Sequence, residues 1–480
     1  MTENYTVVRP GSFEPENHWY PKALNATIHP MVAYFLNLST DRIIERYCHL
    51  HPMVKKNALV EIMAQKPRYF RWAGADLINV TTELGKRQML IIENNSCPSG
   101  QKSMPLLDDH DELGGYRKLI ENTFIPSLKG QRVISDGVLA VLYDKNPMEA
   151  SGYAAAIAEL LQEDVYYIYF PYDKYEHYLR YTDDILELKT KEGNWIKIRA
   201  AFRYVTQKPW NRIPIHCKTK ILNPVLACIS GGRNKMVAAK AYDMYNAEIE
   251  NSGLKINMPD TIWDVSKNEV PLWVKKMGGH AVVKVPYSNA GQGVFTIVNQ
   301  AELDNFMAQE FEYEQFIVQS LIGNYRWSST SSKGKFYHVG TMPSNKGFTY
   351  VNDLRVMVSA TVDGIKPISV YSRRALNPLE DIISNNTKSW DMLGTNLSIK
   401  KEDGSWDTDT NRLLLMDRRD FNKLGIGLDD LIEAYIQTVL SMVAIDNMAK
   451  TFINSNGKFR KKLFQSLNDD DSLINEIMVE

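Results

Sequence analysis

The sequence predicts a mixed α/β protein in which strands occur in clusters and are joined by amphipathic helices. Apolar residues recur three and four positions apart in segments such as 28–52 and 429–449, which is the spacing of an amphipathic helix. Short runs rich in β-branched and aromatic residues are grouped between turn residues, as in strands. No regular strand–helix alternation of the Rossmann type runs through the chain.

The first part of the chain is predicted to contain helices, a hairpin and a strand–helix–strand unit. Residues 1–70 have helical spacing. Two strands, 75–80 and 88–94, flank the polar run TTELGKR, which indicates a hairpin. An apolar strand near 133–144, an Ala-rich helix that begins at Pro147 and a second strand at 164–170 follow. This order predicts a βαβ-like layer.

The second part is predicted to contain two further strand clusters. A helix near 235–249 precedes a strand at 279–287, and a glycine-containing turn, SNAGQGV, follows that strand. Two later strands, in NDLRVMVSATVDG and KPISVYSRRA, form a predicted hairpin that turns at Asp363–Gly364. A long helix at 429–449 nearly closes the chain, and the polar tail after Asn454 is expected to be peripheral.

Length and charge limit the classes of protein. A chain of 480 residues is expected to form two to four packed units. Its formal net charge of −1 gives no reason to expect a nucleic-acid partner. No uninterrupted apolar stretch approaches the roughly 18 residues of a membrane span, and the N-terminus lacks a signal-peptide pattern, so no membrane partner is expected. Four widely spaced cysteines indicate a reduced, cytoplasmic protein, and the oligomeric state stays open.

The predicted hairpin at 75–94 carries a candidate metal site. Alternate residues of a strand share a face, so Glu93 and Asn95 present oxygen atoms side by side. Asp76 joins them if it lies opposite, because cross-strand neighbours are about 5 Å apart. Two carboxylates and an amide oxygen are ligands that suit Mg²⁺. The alternative is a surface hairpin with solvated charges.

A second candidate site begins at Lys284, which ends an apolar strand just before a loop that contains two glycines. Such a loop lets backbone N–H groups approach phosphate oxygens, and lysine adds a compact positive charge. The alternative is a plain hairpin. The candidate phosphate-binding residues of the loop are Ser288, Asn289, Gly291, Gln292 and Gly293.

The later strands carry arginines suited to phosphate or carboxylate oxygens. Arg355 lies in NDLRV, and Arg373 and Arg374 lie in YSRRA. Adjacent residues of a strand face opposite sides, so only one of Arg373 and Arg374 can share a site with Arg355. No H-E-x-x-H metal motif and no G-x-S-x-G nucleophile motif occurs, and Cys97 is interpreted as a bystander.

Together these motifs resemble the ATP-grasp superfamily, in which two α/β lobes hold ATP between antiparallel sheets. The metal hairpin comes first in this chain, whereas it comes last in ordinary members. This order, and the stretch IIENNSCPSG, are similar to circularly permuted ATP-grasp proteins and, more distantly, to glutathionylspermidine synthase. The resemblance covers roughly residues 70–420.

The resemblance implies a role for each motif. The metal ligands are Asp76, Glu93 and Asn95. The nucleotide is bound by Lys235, by Lys284 and its loop, and by a hinge strand with Gln319 and Leu321 that reads adenine. The catalytic residues are Arg355 with Arg373 or Arg374, and Asn396 or Lys400 is a further candidate for the site.

The implied fold is a circularly permuted ATP-grasp fold, and the implied activity is ATP-dependent ligation of a carboxylate to an amine through an acyl-phosphate. The cofactors are ATP and Mg²⁺, with Mn²⁺ as a possible substitute, and the partners are small-molecule or peptide carboxylates and amines. A nucleotide-binding scaffold without turnover and an ATP-grasp phosphotransferase are the alternatives. The expected units are 1–130, a helical segment with the metal hairpin; 131–233, a substrate domain; 234–330, the Lys284 lobe; and 331–480, the second lobe with the C-terminal helix.

Overall fold

The computed structural model describes residues 4–129, 134, 136–205, 212–287, 291, 293–400, 406–469, 471 and 474. In this part of the chain the predicted mixed α/β class is confirmed: helices and strands form three larger sheets, one two-stranded sheet and the layers that cover them. Among the described helices, none combines the length and the apolar character that a membrane crossing requires.

The first half of the chain contains the predicted helices, the hairpin and the strand–helix–strand unit. In chain order its elements are β1 (Tyr5–Val8), α1 (Pro21–Leu24), α2 (Pro30–Leu36), α3 (Thr40–Leu50), α4 (Lys56–Met63), β2 (Trp72–Thr82), β3 (Arg87–Asn95), α5 (Gly114–Leu119), α6 (Ile125–Leu128), β4 (Val138–Tyr143), α7 (Pro147–Leu161), β5 (Val165–Tyr169), β6 (Leu179–Thr182), β7 (Ile185–Lys189), β8 (Trp195–Tyr204), β9 (Lys220–Leu222) and α8 (Val225–Ala227).

The second half contains the two further strand clusters and the long closing helix. Its elements are α9 (Lys235–Glu248), β10 (Thr261–Ser266), α10 (Val270–Lys276), β11 (Ala281–Lys284), β12 (Val294–Ile297), α11 (Gln300–Ala308), β13 (Gln315–Ser320), β14 (Phe336–His338), β15 (Asn352–Thr361), β16 (Gly364–Arg374), α12 (Ser389–Leu393), β17 (Ser398–Lys400), β18 (Trp406–Thr408), β19 (Leu413–Leu414), α13 (Leu428–Thr451) and α14 (Lys461–Leu467).

A seven-stranded sheet is built around the predicted βαβ unit. Its order is β1-β5-β4-β8-β7-β6, and β9 pairs with β8. Strand β4 lies parallel to both β5 and β8, and the crossover from β4 to β5 runs through α7. The residues that follow β4 therefore lie at the carboxyl edge of parallel strands, where ligands commonly bind in α/β sheets.

Two antiparallel sheets complete the architecture. One has the order β10-β13-β11-β12 and carries Lys284 at the end of β11. The other has the order β14-β2-β15-β16-β19, with β3 on the other side of β2. The early hairpin β2–β3 thus pairs with β15 from the distant second half of the chain, and it brings Asp76 directly opposite Arg355.

Helix α13 supports this hairpin from behind. Its apolar residues extend around the whole helix, so it is buried on nearly all sides and packs against β3, β15 and α9. Its buried Asp446 accepts backbone N–H groups from Arg68, Tyr69 and Phe70, at 2.7–3.0 Å. These bonds fix the chain immediately before β2.

The chain ends differ from the expectations. Residues 5–8, expected to be helical, form an edge strand that pairs antiparallel with β5. The tail, expected to be peripheral, forms α14, and its Phe464 is fully buried among aromatic side chains that include Phe452 and Phe459. In both cases a partner distant in sequence supplies the apolar surface that decides the conformation.

Candidate functional site

The predicted metal hairpin forms as expected, and its three candidate ligands line one cavity. Asp76 on β2 lies opposite Glu93 on β3, and Asn95 lies opposite Gly74. The Asp76, Glu93 and Asn95 side chains border a cavity of 270 Å³ between the two antiparallel sheets. A β-bulge between the Asp76–Glu93 pair and the Leu77–Ile91 pair shifts the register of the hairpin. The three candidate ligands lie on the same side of this bulge.

Asp76 is held by two arginines. The Arg355 Nε and Nη2 atoms donate to its two carboxylate oxygens at 2.5 and 2.6 Å, and Arg373 Nη2 lies 2.9 Å from one of them. Burial alone would raise the pKa of Asp76, but the attraction of Arg355 and Arg373 lowers it to about 2. The carboxylate is therefore charged, and the guanidinium groups are fixed at the cavity wall.

A second buried acid, Asp353, orients Arg373 from the other side. Arg373 donates to both Asp353 oxygens, from Nε at 3.1 Å and also from Nη2, and Thr395 Oγ1 donates at 2.8 Å. Burial raises the pKa of Asp353, and Arg373 opposes that effect. Asp353 and Arg373 are cross-strand neighbours on β15 and β16, so the sheet register itself places the pair.

The two adjacent arginines of β16 point to opposite faces. Arg373 lines the cavity. Arg374 stacks on Tyr350, with its guanidinium carbon 4.5 Å from the ring centroid, and donates to the carbonyl of Ala375. The structure therefore brings Arg355 and Arg373 together and leaves Arg374 outside the lining.

Lys284 lines the opposite wall, whereas Lys235 borders a smaller adjoining cavity that Glu93 and Lys284 also line. Lys284 Nζ donates to the Ile92 carbonyl at 3.0 Å, and Lys235 Nζ lies 3.5 Å from a Glu93 oxygen. Burial lowers the pKa of Lys284 to about 8; Glu93 raises it and Lys235 lowers it further. Asn234, the residue before α9, caps this helix by accepting the Val237 N–H at 3.1 Å, and so fixes where Lys235 begins the helix.

The glycine loop is described only in part. Gly291 lines the cavity, and Gly291 and Gly293 have φ angles of 77° and 70°, which glycine adopts without strain. A Cβ atom at Gly291 would lie 2.8 Å from the Trp390 ring. The other predicted loop residues, Ser288, Asn289 and Gln292, lie outside the described residues.

The predicted hinge strand also borders the cavity, but its polar groups have partners within the chain. Gln319 Nε2 donates to Thr261 Oγ1 at 2.8 Å. The Leu321 N–H donates to Ser329 Oγ at 2.7 Å, and the Leu321 carbonyl accepts from the Ser329 N–H at 2.9 Å. The loop that contains Ser328 and Ser329 thus folds back on the strand. The Leu321 N–H must release Ser329 before it can bind a base.

An apolar slot adjoins this strand. Ile78, Ile92, Val282 and Ile322 line it, and His338 stands beside them. Burial lowers the pKa of His338 to about 4, so its imidazole is neutral at physiological pH. A cavity lined by apolar residues in one part and by charged residues in another suits a ligand with an apolar ring and an anionic tail.

Glu149 organises the turn that follows the hairpin. This fully buried residue, in the first turn of α7, accepts hydrogen bonds from Ser99 Oγ at 2.7 Å and from the backbone N–H groups of Gly100 and Gln101 at 2.9 and 3.2 Å. The turn also approaches β16 closely: a Cβ atom at Gly100 would lie 2.8 Å from the Tyr371 ring. The stretch IIENNSCPSG includes this P-S-G turn (Pro98–Gly100), but no sequence motif marks the acid that holds it.

Other lining residues were also missed or left open. Asn396 lines the cavity, whereas the Lys400 side chain is outside the described part of the structure. Cys97 lines it too, but burial raises the pKa of its thiol to about 11 and its Sγ donates to the Arg203 carbonyl, so it is not a nucleophile at neutral pH. Cationic residues that no motif identified are Lys102, Lys145 and Arg233.

The candidate metal ligands fit Mg²⁺ in chemistry. All three offer oxygen atoms, and Asn95 uses its Nδ2 to donate to the Gly74 carbonyl at 3.5 Å, which directs the amide oxygen elsewhere. Among the described residues, no group of three or more His, Cys, Asp and Glu side chains is placed to hold a metal ion, so the set depends on Asn95. Asp76 would share its oxygens between the cation and the arginines.

Comparison with solved structures finds distant likenesses. A glutathione synthetase-like effector from Globodera pallida matches with 10% identity, over 72% of this chain and 81% of its own, at a TM-score of 0.38. A RimK domain ATP-grasp protein from Sphaerobacter thermophilus and the D-alanine-D-alanine ligase of Helicobacter pylori each match with 13% identity over 49% of this chain and 90% of their own, at TM-scores of 0.28 and 0.27.

No family model and no curated protein matches the chain. The second of the structures carries the name of the superfamily that the sequence motifs resemble. At these TM-scores no role is transferred from any of them, and the function is inferred from the site geometry alone.

Proposed function

We propose that the protein is an ADP-forming ligase of the ATP-grasp type, which joins a carboxylate to an amine. One observation carries the proposal: Lys284 from one antiparallel sheet and the Asp76–Arg355–Arg373 group from the other border the same cavity. A cavity with cationic groups on both walls, metal ligands at one point and an apolar slot at one end suits a nucleoside triphosphate.

The reaction divides into two displacements. A carboxylate oxygen of the first substrate attacks the γ-phosphorus of ATP, and the bond to the ADP oxygen breaks, which gives an acyl-phosphate. The amine then attacks the acyl carbon, inorganic phosphate leaves, and the amine nitrogen loses a proton. Neither step needs a side-chain nucleophile, in agreement with the raised pKa of Cys97.

The charged residues at the cavity have different roles in this reaction. Lys284 binds phosphate oxygens on one wall, and Lys235, which borders the adjoining cavity beside Glu93, adds positive charge nearby. Arg355 and Arg373, fixed by Asp76 and Asp353, stabilise the negative charge that develops on the transferred phosphoryl group and on the tetrahedral acyl centre. Mg²⁺ held by the hairpin ligands would neutralise charge on the phosphates.

The order of motifs supports the circularly permuted form. The metal hairpin precedes Lys284 and Arg355 in the chain, yet β2 pairs with β15 along seven register positions, from Asp353–Ile78 to Ser359–Trp72. The N-terminal hairpin β2–β3 therefore forms one sheet with β15 and β16, which come from the second half of the chain.

Phosphate release tests the proposal. The wild type, given ATP, Mg²⁺ and pools of amino acids, polyamines and small peptides, is expected to release phosphate only when an acceptor pool is present. Glu93→Ala is expected to lower the rate about a hundredfold or more, since it removes a metal ligand. Glu83→Ala, in the exposed turn of the same hairpin, is the matched control.

The outcomes separate the alternatives. Phosphate transfer to a hydroxyl group, with no dependence on an amine, indicates a phosphotransferase. Nucleotide binding without release in any pool indicates a scaffold. Full activity of Glu93→Ala contradicts the assignment of the metal hairpin.

A further inference from the structure

The third wall of the cavity comes from the seven-stranded sheet. Lys145 and Asn146 directly follow β4, at the carboxyl edge of its parallel strands, and both line the cavity. Asn146 precedes the fifteen-residue helix α7 in a left-handed conformation, with φ 52°, and its side chain makes no capping hydrogen bond. The positive end of the α7 dipole therefore adjoins this wall.

Lys145 has no counter-ion in the described part of the chain. Its neighbour Asp144 is used elsewhere, in an ion pair with Arg212 at 3.1 Å. Desolvation lowers the pKa of Lys145 to about 8; Arg233 and Arg355 lower it, and Asp144 and Glu93 raise it. A buried ammonium group without a carboxylate partner lowers the stability of the folded protein, and an anionic ligand would offset this penalty.

Lys102 is a second cation of the same kind. The residue is only 6% exposed, and its ammonium lies 4.9 Å from the centroid of the Tyr20 ring. No acidic side chain among the described residues pairs with it. Both Lys102 and Tyr20 line the cavity that contains Lys145.

These lysines differ from the cations already assigned to phosphate. Arg355 and Arg373 have Asp76 and Asp353 as partners, and Lys235 has Glu93. Lys102 and Lys145 lack an acidic partner within the described residues and come from segments outside the two antiparallel sheets, whereas Lys284, which donates to the Ile92 carbonyl, lies on one of those sheets. A ligand that binds to Lys102 and Lys145 is therefore expected to be negatively charged.

We propose that Lys102, Lys145 and Asn146 form the binding site of the acid substrate, and that this substrate carries two carboxylate groups. One carboxylate is the reacting group, which lies toward Arg355, and the other is bound on the third wall. The two unpaired ammonium groups then share the negative charge of the carboxylate on the third wall. This inference rests on the proposed ligase function and adds the substrate class to it.

Protection from acetylation tests the site without knowledge of the natural substrate. The wild type is treated with acetic anhydride at pH 8 in the presence of Mg²⁺ and a non-hydrolysable ATP analogue, and modification of each lysine is followed by mass spectrometry. Succinate and glutarate are expected to protect Lys102 and Lys145. Acetate should protect more weakly, and succinamide should not protect. Exposed Lys346 is the control lysine, whose modification should not change.

Two variants test whether Lys102 and Lys145 bind the same ligand. Lys145→Gln is expected to raise the concentration of succinate that half-protects Lys102 by about tenfold or more, and Lys102→Gln should do the same for Lys145, since each removes a charged partner. Lys346→Gln should leave both values unchanged. The affinity for the ATP analogue, measured by calorimetry, should change little in all three.

Three results overturn the inference. The first is no protection by any dicarboxylate. The second is full protection by the nucleotide analogue alone, which assigns the lysines to phosphate. The third is equal protection by acetate and succinate. Failure of the wild type to bind the analogue, in contrast, contradicts the proposed function itself.

Discussion

Asp76 and Arg355 face each other in register across β2 and β15, and their side chains form a two-point ion pair that is almost fully buried. A candidate metal ligand and a candidate catalytic arginine are therefore partners before any substrate binds. This pairing holds the guanidinium in place, and it makes Asp76 important for stability as well as for metal binding.

Replacement of Asp76 is expected to destabilise the protein. Asp76→Asn leaves the buried Arg355 guanidinium without its carboxylate partner and Arg373 with Asp353 alone, so the free energy of unfolding should fall by about 3–5 kcal/mol in urea denaturation without nucleotide. Glu93→Gln is the comparison. The Glu93 side chain is 25% exposed and its lysine partner lies 3.5 Å away, so the loss should stay below about 1 kcal/mol. Equal losses in the two variants would contradict the role given to Asp76.

The buried Glu149 is expected to couple helix α7 and the seven-stranded sheet to the site. Glu149→Gln removes the charge from hydrogen bonds to Ser99 and to the backbone of the P-S-G turn, and should lower the free energy of unfolding by about 1.5–3 kcal/mol. Glu159→Gln, at a half-buried position of the same helix where the side chain accepts the Gly11 N–H, is the control and should cost less than about 1 kcal/mol. If both variants unfold at the same urea concentration, Glu149 does not organise the turn.

The two neighbouring arginines of β16 should differ in effect. Arg373→Lys disturbs a guanidinium held by Asp76 and Asp353, and is expected to lower the phosphate-release rate about a hundredfold. Arg374→Lys changes a side chain that stacks on Tyr350 and should alter the rate by no more than about twofold. A larger effect of the Arg374 substitution would show that the cavity lining has been assigned to the wrong face.

Nucleotide binding should depend on pH through Lys284. Burial lowers the pKa of Lys284 to about 8, so the free protein loses this positive charge as the pH rises through 8. A bound phosphate favours the ammonium form, so binding above pH 8 should take up a proton, and affinity should fall by up to about tenfold per pH unit. Calorimetry at pH 9 in two buffers of different ionisation enthalpy measures the uptake.

A substitution supplies the control for this pH dependence. Lys284→Arg keeps its charge throughout this range, so the proton uptake should decrease. An affinity that is constant between pH 7 and 9.5 in the wild type would be inconsistent with the burial of the Lys284 amine.

The parts of the site that local patterns determine were predicted from the sequence. Alternation along a strand placed Glu93 and Asn95 together, and a short polar connection predicted the hairpin that brings Asp76 opposite them. The same alternation required that only one of Arg373 and Arg374 face the cavity, although it did not say which. That choice depends on which face of β16 is covered, a property of the folded sheet.

The parts that depend on contacts between distant segments were not predicted. Glu149 reaches the turn at Gly100 only because α7 packs beside the hairpin, and no motif marks that contact. Ser329 accepts the Leu321 N–H because the polar loop that follows β13 folds back on that strand. Lys145 lies in the cavity only because the edge of the seven-stranded sheet borders it, and no sequence motif marks this residue.

The central claim is that ATP activates a carboxylate as an acyl-phosphate, and trapping with hydroxylamine tests it most directly. The protein is incubated with ATP, Mg²⁺, hydroxylamine and pools of carboxylic acids, and acyl hydroxamate is measured together with ADP. The account predicts hydroxamate in amounts equal to ADP, with dicarboxylic acids in the productive pool, and loss of both products in Glu93→Ala. ADP formation without hydroxamate from any pool would contradict the ligase assignment.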